Sequence, residues 1–574
     1  MGIPKLFSQW IKKHKIYNSY EEGNQLKILK PILSLKNGLI SFDLNGIIHQ
    51  SYENIYKKIE NDEIKFYEIN NYNLIINEVI NLLFKFINLI NNKSKYLWDF
   101  YIAIDGIAPT SKANQQRERR YQSDDIMRSN ISPGTIFMYK LELEIKKMIK
   151  VKFFNEIINE YYIEFNNDCA EQRNCDNEQK IYFIGSNFVG EGEHKIMKIL
   201  NEKNYDNVLI HGLDTDILIR SMIHHSNIDF YLYHQNKEKY QMDTLINVKY
   251  IFNYYLNLFQ KTKLKNLSKI FYKNLFFILL LPIGNDFLPK FLTLSYTMDI
   301  NIFIFNLNKR IKIKELNEFI YNIENFPEDK TGLLIKKVVL FVYNKLVPNS
   351  ELNFLKHKYT VLNENSPLFK VLNIYLSNDD NIKTFQNKWY SDVEIVDNNF
   401  TTRGFNIDLI KILDNNFNKI KSLKVSSNNN NLNTYSNFKL NEIYVQQFII
   451  DKMCLLYLEN IQWNSQYYFL KNHNVFDTIF YPYHKSPLLI NLNDFNNESN
   501  LIIPKLHKEF IKGNEIIKLK MISNPKSNLV KNIKLRFDEI NYDLFPEDFK
   551  KSNLLSRVDY DISSILPNTY LERF

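Results

Sequence analysis

Three short apolar runs in this chain each end on aspartate, and this repeated pattern restricts the fold more than any other feature. The run 38–42 (GLISF) leads into Asp43, 100–104 (FYIAI) into Asp105, and 208–213 (VLIHGL) into Asp214 and Asp216. Apolar runs of roughly four to eight residues, separated by helical patterns, mark strands buried on both faces of a parallel sheet. The intervening periodicity predicts helices over 74–90 and 136–158, where apolar residues recur at spacings of about three and four. The fold class is therefore α/β, a mostly parallel central sheet flanked by helices.

In such sheets the ligand crevice lies beyond the carboxyl ends of the strands, so acids that follow different strands tend to share one site. Two further acidic motifs fit that placement. VGEGEHKIM carries Glu191 and Glu193 at a strand-to-helix junction, and GNDFLP carries Asp286. With only 14 glycines in the chain, the pair Gly190 and Gly192 marks a tight turn or a close approach of ligand to backbone. A lone aspartate after a strand also serves as a turn or helix cap, and two glutamates at a helix start also favour its positive end. Taken together, the seven acids Asp43, Asp105, Glu191, Glu193, Asp214, Asp216 and Asp286 form a candidate cage for hard cations, because crowded carboxylates repel unless a cation neutralises them. Oxygen donors without a His/Cys set favour Mg²⁺ or Mn²⁺ over zinc, and His194 reads as a packing residue or one that orients a ligand.

Across 574 residues, 73 Lys+Arg against 64 Asp+Glu give a net charge of +9, a mild excess that favours polyanions without identifying one. Cys169, Cys175 and Cys454 form no disulfide framework and no zinc spacing, which predicts reduced thiols in an intracellular, by default cytoplasmic, protein. The apolar stretch 275–283 is broken by Pro282 and falls short of a membrane span of about 20 residues, so no membrane partner is expected. The patterning divides the chain into a core unit over 1–345, a connecting segment over 346–438 with an Asn-rich loop near 424–438, and a last unit over 439–574. That last unit opens on a helix over 440–457 and continues into an aromatic stretch with Trp463, Tyr467, Tyr468, Tyr481 and Tyr483.

Six residues beyond Asp105 begins SKANQQRERR. If helical, it sets Lys112, Gln116, Arg119 and Arg120 along one face, and those donors suit a terminal phosphate with several free oxygens. A solvated charged helix has the same composition. The motifs MGIPKLF, FDLNGIIHQ, AIDGIAP followed by SKANQQRERR, GEGEHKIM, LDTD and GNDFLP stand in the order and approximate spacing of the XRN-type 5′→3′ exoribonucleases, which the chain resembles over residues 1 to about 290. A weaker likeness, through Trp463 and the YPYH string at 481–484, extends to the family's second region. Here the chain departs from the family: the tryptophan-rich stretch is reduced to one Trp, and Val189 stands where a proline usually precedes the first glycine of GEGE.

The resemblance implies a PIN/FEN-like nuclease core with a helical, aromatic-rich C-terminal region packed on it. It places the seven acids as ligands of two divalent ions, and Lys112, Gln116, Arg119 and Arg120 in a pocket for a 5′-monophosphate. It also gives His49 and Trp463 as surfaces that stack on the first base. The implied activity is processive degradation of single-stranded, 5′-monophosphorylated RNA to nucleoside 5′-monophosphates, with decapping or RNA-decay proteins as unidentified partners. A flap-endonuclease-like or 5′-exonuclease DNA enzyme, and a catalytically silent RNA-binding relative, are the competing readings.

Overall fold

The computed structural model describes residues 25–61, 72–109, 131–154 apart from 134, 179–234 apart from 187, 189, 213, 225 and 226, then 243–291, 299–326, 333–347, 442–469, 485–495, 550–552 and 563–565. It also describes Leu6, Trp10, Ile11, Lys13, His14, Lys112, Gln116, Gln386, Trp389, Tyr390 and Tyr481. The acid-terminated runs are strands. β1 (Gly38–Asp43), β2 (Trp98–Ala103), β3 (Ile181–Ile184), β4 (Asn207–His211), β5 (Asp229–His234) and β6 (Thr244–Asn247) make one sheet in the order β3-β2-β1-β4-β5-β6, parallel except for the antiparallel edge pair β5–β6.

That order reverses direction between β1 and β4. The chain builds outward from β1 to β3 on one side and from β4 to β6 on the other, which makes the carboxyl ends of β1 and β4 the switch point, the place where sheets of this kind bind ligands. Register brings the acids to that end. Asp43 pairs with Ala103, two residues before Asp105, and Phe42 pairs with His211, three before Asp214.

In chain order the helices are α1 (Gln25–Leu33), α2 (Leu44–Glu60), α3 (Asn73–Lys93), α4 (Ile136–Phe154), α5 (Gly192–Glu202), α6 (Thr215–Ile223), α7 (Val248–Asn257), α8 (Lys269–Leu280), α9 (Ile300–Arg310), α10 (Leu316–Glu324), α11 (Leu333–Leu346), α12 (Glu442–Phe469) and α13 (Leu489–Asp494). Strand side chains alternate between two cores, as a pleated strand requires. Ile40, Phe42, Phe100, Ile102 and Leu209 face the α2–α3–α4 side, while Leu39, Tyr101, Val208 and Ile210 face α5, α6 and the helices that follow. α3 is long and apolar enough to cross a membrane by length and composition, but its Ile75, Val79, Leu83, Phe86 and Ile90 are buried in the protein core.

The helix expected over 440–457 runs on to Phe469, so Trp463, Tyr467 and Tyr468 sit on its last turns and not in a segment after it. Its inner face joins the core of the α5–α6 side through Met453, Tyr457 and Ile461, and the Tyr457 hydroxyl donates to the Pro289 carbonyl at 2.9 Å. The C-terminal aromatic region is thus packed on the sheet domain. Cys454 is buried with a free thiol; Cys169, Cys175 and the Asn-rich run near 424–438 lie outside the described residues.

Candidate active site

All seven acids come together at the carboxyl end of the sheet, each delivered by a short, well-specified piece of backbone. Asp43 ends β1 and Asp105 lies just past β2. Glu191 is the residue before α5, and Glu193 is in its first turn. Asp214 caps α6, its side chain accepting from the Asp216 amide at 3.4 Å, so the capping role and membership of the cluster coexist in one residue. Asp286 is fully buried in the loop after α8.

Two loops need glycine. A Cβ on Gly192 would lie 2.8 Å from Asp43 Oδ1 and 3.4 Å from Asp105 Oδ1, while the Gly192 amide donates to Asp105 Oδ1 at 2.6 Å. The backbone therefore passes through the middle of the acidic group, where no side chain fits. Gly284, at φ +83°, turns the chain so that Asn285 can accept from the Phe287 and Leu288 amides at 2.9 Å each, which fixes the loop around Asp286.

Electrostatics shows how unfavourable this gathering is without added positive charge. Burial, then the charges of Asp105, Asp214 and Glu191, push the Asp43 carboxyl well above its ordinary range. Burial and Glu191 raise Asp105 to about 6, and burial, Asp214 and Asp286 raise Asp216 to about 7. Glu193 is driven up by burial even though Arg220 opposes the shift. The Oδ1 of Asp43 is buried and accepts no hydrogen bond among the described residues.

Lys112 reaches into the group. Lys112 Nζ donates to Asp286 Oδ2 at 2.7 Å and lies 3.1 Å from Glu191 Oε1, so this member of the expected phosphate clamp is bound into the carboxylate cluster itself. Despite the cost of burial, Asp286 and Glu191 keep its ammonium charged. Gln116, half-buried, is the only other clamp residue described; Arg119 and Arg120 lie outside the described residues. His49 is half-buried on α2, six residues beyond Asp43.

Trp463 does not present the open stacking face expected of it. It is 2 % exposed, stacked on Tyr467 at 4.9 Å and meeting the edge of Phe287 at 5.0 Å, because α12 turns this side inward against the GNDFLP loop. Tyr483 and His484 lie outside the described residues.

The sequence reading missed Arg220, Tyr467 and Tyr468 as parts of the site. Arg220 Nε donates to Glu193 Oε1 at 3.1 Å, and its NH2 group meets His194 Nε2 at 2.7 Å. The Tyr467 hydroxyl donates to Glu191 and the Tyr468 hydroxyl to Asp216, the latter at 2.7 Å. A signal for Arg220 was present: it is the single charged side chain in the apolar stretch 217–223 (ILIRSMI), four residues after Asp216 and so on its face of the helix.

Glu191, Glu193 and His194 offer ligand atoms within 4.8 Å of one another. His194 is neutral, since burial and then Arg220 lower its pKa well below the usual value, and Arg220 occupies its Nε2 lone pair. This favours oxygen ligation by the surrounding carboxylates. The residues fit a hard divalent cation on three counts: an all-oxygen donor set, a deficit of positive charge, and the unpartnered Asp43 oxygen.

Known proteins supply the remaining comparison. The family model described as XRN 5′-3′ exonuclease N-terminus matches residues 1–130 and 122–235. The 5′-3′ exoribonuclease 1 of Saccharomyces cerevisiae is 28 % identical over 253 residues, covering 39 % of this chain and 14 % of that protein. The Homo sapiens protein of the same name is 29 % identical over 257 residues, 39 % of this chain and 13 % of its own length. That of Schizosaccharomyces pombe is 24 % identical over 352 residues, 54 % and 24 %. The chain thus spans about a seventh of the length of the first two relatives and about a quarter of the third. The motif order, the α/β sheet with acids at its switch point and these matches agree, and residues 1–235 match the N-terminal region of the XRN 5′-3′ exonuclease family.

Proposed function

We propose that this chain is a 5′→3′ exoribonuclease that degrades 5′-monophosphorylated RNA processively to nucleoside 5′-monophosphates, using two divalent ions, Mg²⁺ or Mn²⁺. The observation that carries the reading is the gathering of seven carboxylates from five separate segments, four of them buried and three half-buried, with Asp43 Oδ1 unpartnered among the described residues.

Asp43, Asp105, Glu191, Glu193, Asp214, Asp216 and Asp286 would hold the ions. When bound, such ions supply water activation and charge stabilisation on the departing 3′ oxygen of the first phosphodiester. The chain's own residues handle position and charge. Lys112, anchored by Asp286 and Glu191, sets a fixed ammonium at the border between the acidic group and the run that continues through Gln116, Arg119 and Arg120. Those donors suit a terminal phosphate with free oxygens, and a pocket closed around one phosphate excludes a cap or triphosphate. Each hydrolysis leaves a new 5′-phosphate end, so the same contacts recur one nucleotide along.

The test is incubation of the purified chain with 5′-monophosphate, 5′-triphosphate and 5′-hydroxyl RNA and with a 5′-phosphorylated DNA flap, each with Mg²⁺ or chelator, followed by identification of products. Nucleoside 5′-monophosphates released from the first substrate alone, only with Mg²⁺, are expected. Preferred cleavage of the flap would replace this reading with a DNA nuclease. Binding without release would leave an RNA-binding protein.

A further inference from the structure

The end of α12 meets the acidic site through three side chains whose partners are unusually specific. Arg220, 1 % exposed, projects from α6 and donates from NH1 to the carbonyls of Tyr467 at 2.9 Å and Tyr468 at 3.3 Å. Those are among the last carbonyls of α12, which lack partners within their own helix, so the guanidinium caps the helix at its negative end. The same guanidinium lies over both tyrosine rings, 4.7 Å and 4.8 Å from their centroids. Its Nε holds Glu193 and its remaining nitrogen holds His194.

With the helix end fixed, the two phenols are aimed. Tyr467 donates to Glu191 and packs its ring against His194 at 4.1 Å; Tyr468 donates to Asp216 at 2.7 Å. Glu191 and Asp216 come from different loops, and each receives its hydroxyl from a helix more than 200 residues away in sequence. We infer that Arg220, Tyr467 and Tyr468 are positioning residues that set the carboxylates Glu191, Glu193 and Asp216 for metal, so that the site is complete only when α12 is docked. Hydrogen bonds to ligating carboxylates fix their orientation, and removing such a partner typically weakens metal binding roughly 10- to 100-fold.

This rests on the acidic group binding divalent cations, as proposed above, and the test separates the two. Mn²⁺ affinity of the full chain, read from the electron paramagnetic resonance of free Mn²⁺ without RNA, is compared for the parent, Tyr467→Phe, Tyr468→Phe and Tyr272→Phe. Tyr272, on α8, serves as a control because among the described residues its hydroxyl bonds only to backbone, donating to the Leu264 carbonyl and accepting from the Leu267 amide. Each α12 variant is expected to bind Mn²⁺ about 10-fold more weakly or worse. Tyr272→Phe is expected to keep the parental affinity while losing stability. Parental Mn²⁺ affinity in either α12 variant, in a chain whose parent binds, would overturn the positioning role alone. Absence of Mn²⁺ binding by the parent would overturn the metal reading beneath it.

Discussion

Raising the pH of the metal-free protein should weaken it, opposite to the usual behaviour of ion-paired carboxylates. Asp216 is pushed to about 7 by burial and by Asp214 and Asp286, against an ordinary value near 3.8. Between those two values the folded protein keeps a proton that the unfolded chain has released, so stability falls as pH rises through this window and levels off above about 7. At about 1.4 kcal/mol per pH unit, Asp216 alone contributes a loss of about 4 kcal/mol. Asp43, Asp105 and Glu193 are shifted in the same direction, and the set titrates as a unit. All four tryptophans, Trp10, Trp98, Trp389 and Trp463, are buried, so their fluorescence follows denaturant unfolding.

In chelator the unfolding midpoint is expected to drop from pH 5 to pH 8. Mg²⁺ should restore more stability at pH 8 than at pH 5, because binding competes with protons. Asp216→Asn, neutral and nearly isosteric, should flatten the chelator profile and be more stable than the parent at pH 8. A parent profile that is flat or rises with pH in chelator, or an Asp216→Asn slope equal to the parent's, would refute the reasoning.

Gly192→Ala places a methyl group 2.8 Å from Asp43 Oδ1 and forces that carboxylate aside; Mg²⁺-dependent RNA release should fall at least about 10-fold while circular dichroism stays parental. Lys112→Met leaves Glu191 and Asp286 buried without their cation, and denaturant titration in chelator at pH 8 should show a loss of roughly 3–5 kcal/mol. Arg119→Ala should slow degradation of 5′-monophosphate RNA more than that of 5′-hydroxyl RNA in a paired time course; equal slowing would remove the phosphate clamp.

The sheet was legible because its strands obey a local rule. A strand covered on both faces needs an unbroken apolar run, and such runs stand out in a chain this rich in Asn and Lys. The acids were legible for a related reason. Parallel strands in register end at one level, so a residue that follows each strand at a small offset is carried to the same place; Asp43, Asp105 and Asp214 needed no long-range information. Lys112 was identified as a cation near the site, but its lodging between Glu191 and Asp286 depends on the loop after α8, which approaches only through tertiary packing.

Tyr467, Tyr468 and Trp463 illustrate why the rest was hidden. An aromatic-rich stretch carries no period that tells an open stacking surface from a buried helix face, and a helix that is apolar on several sides gives no clean stripe. What decides between them is the partner surface. The GNDFLP loop and Arg220 supply it, turning Trp463 inward onto Phe287 and the two phenols onto Glu191 and Asp216. The lone charge in ILIRSMI was the available clue: a buried arginine needs a carboxylate and several acceptors, and within reach of Asp216 those acceptors had to come from a segment that the local sequence does not contain. An unexplained buried charge beside a recognised motif is thus a pointer to the element that completes the site.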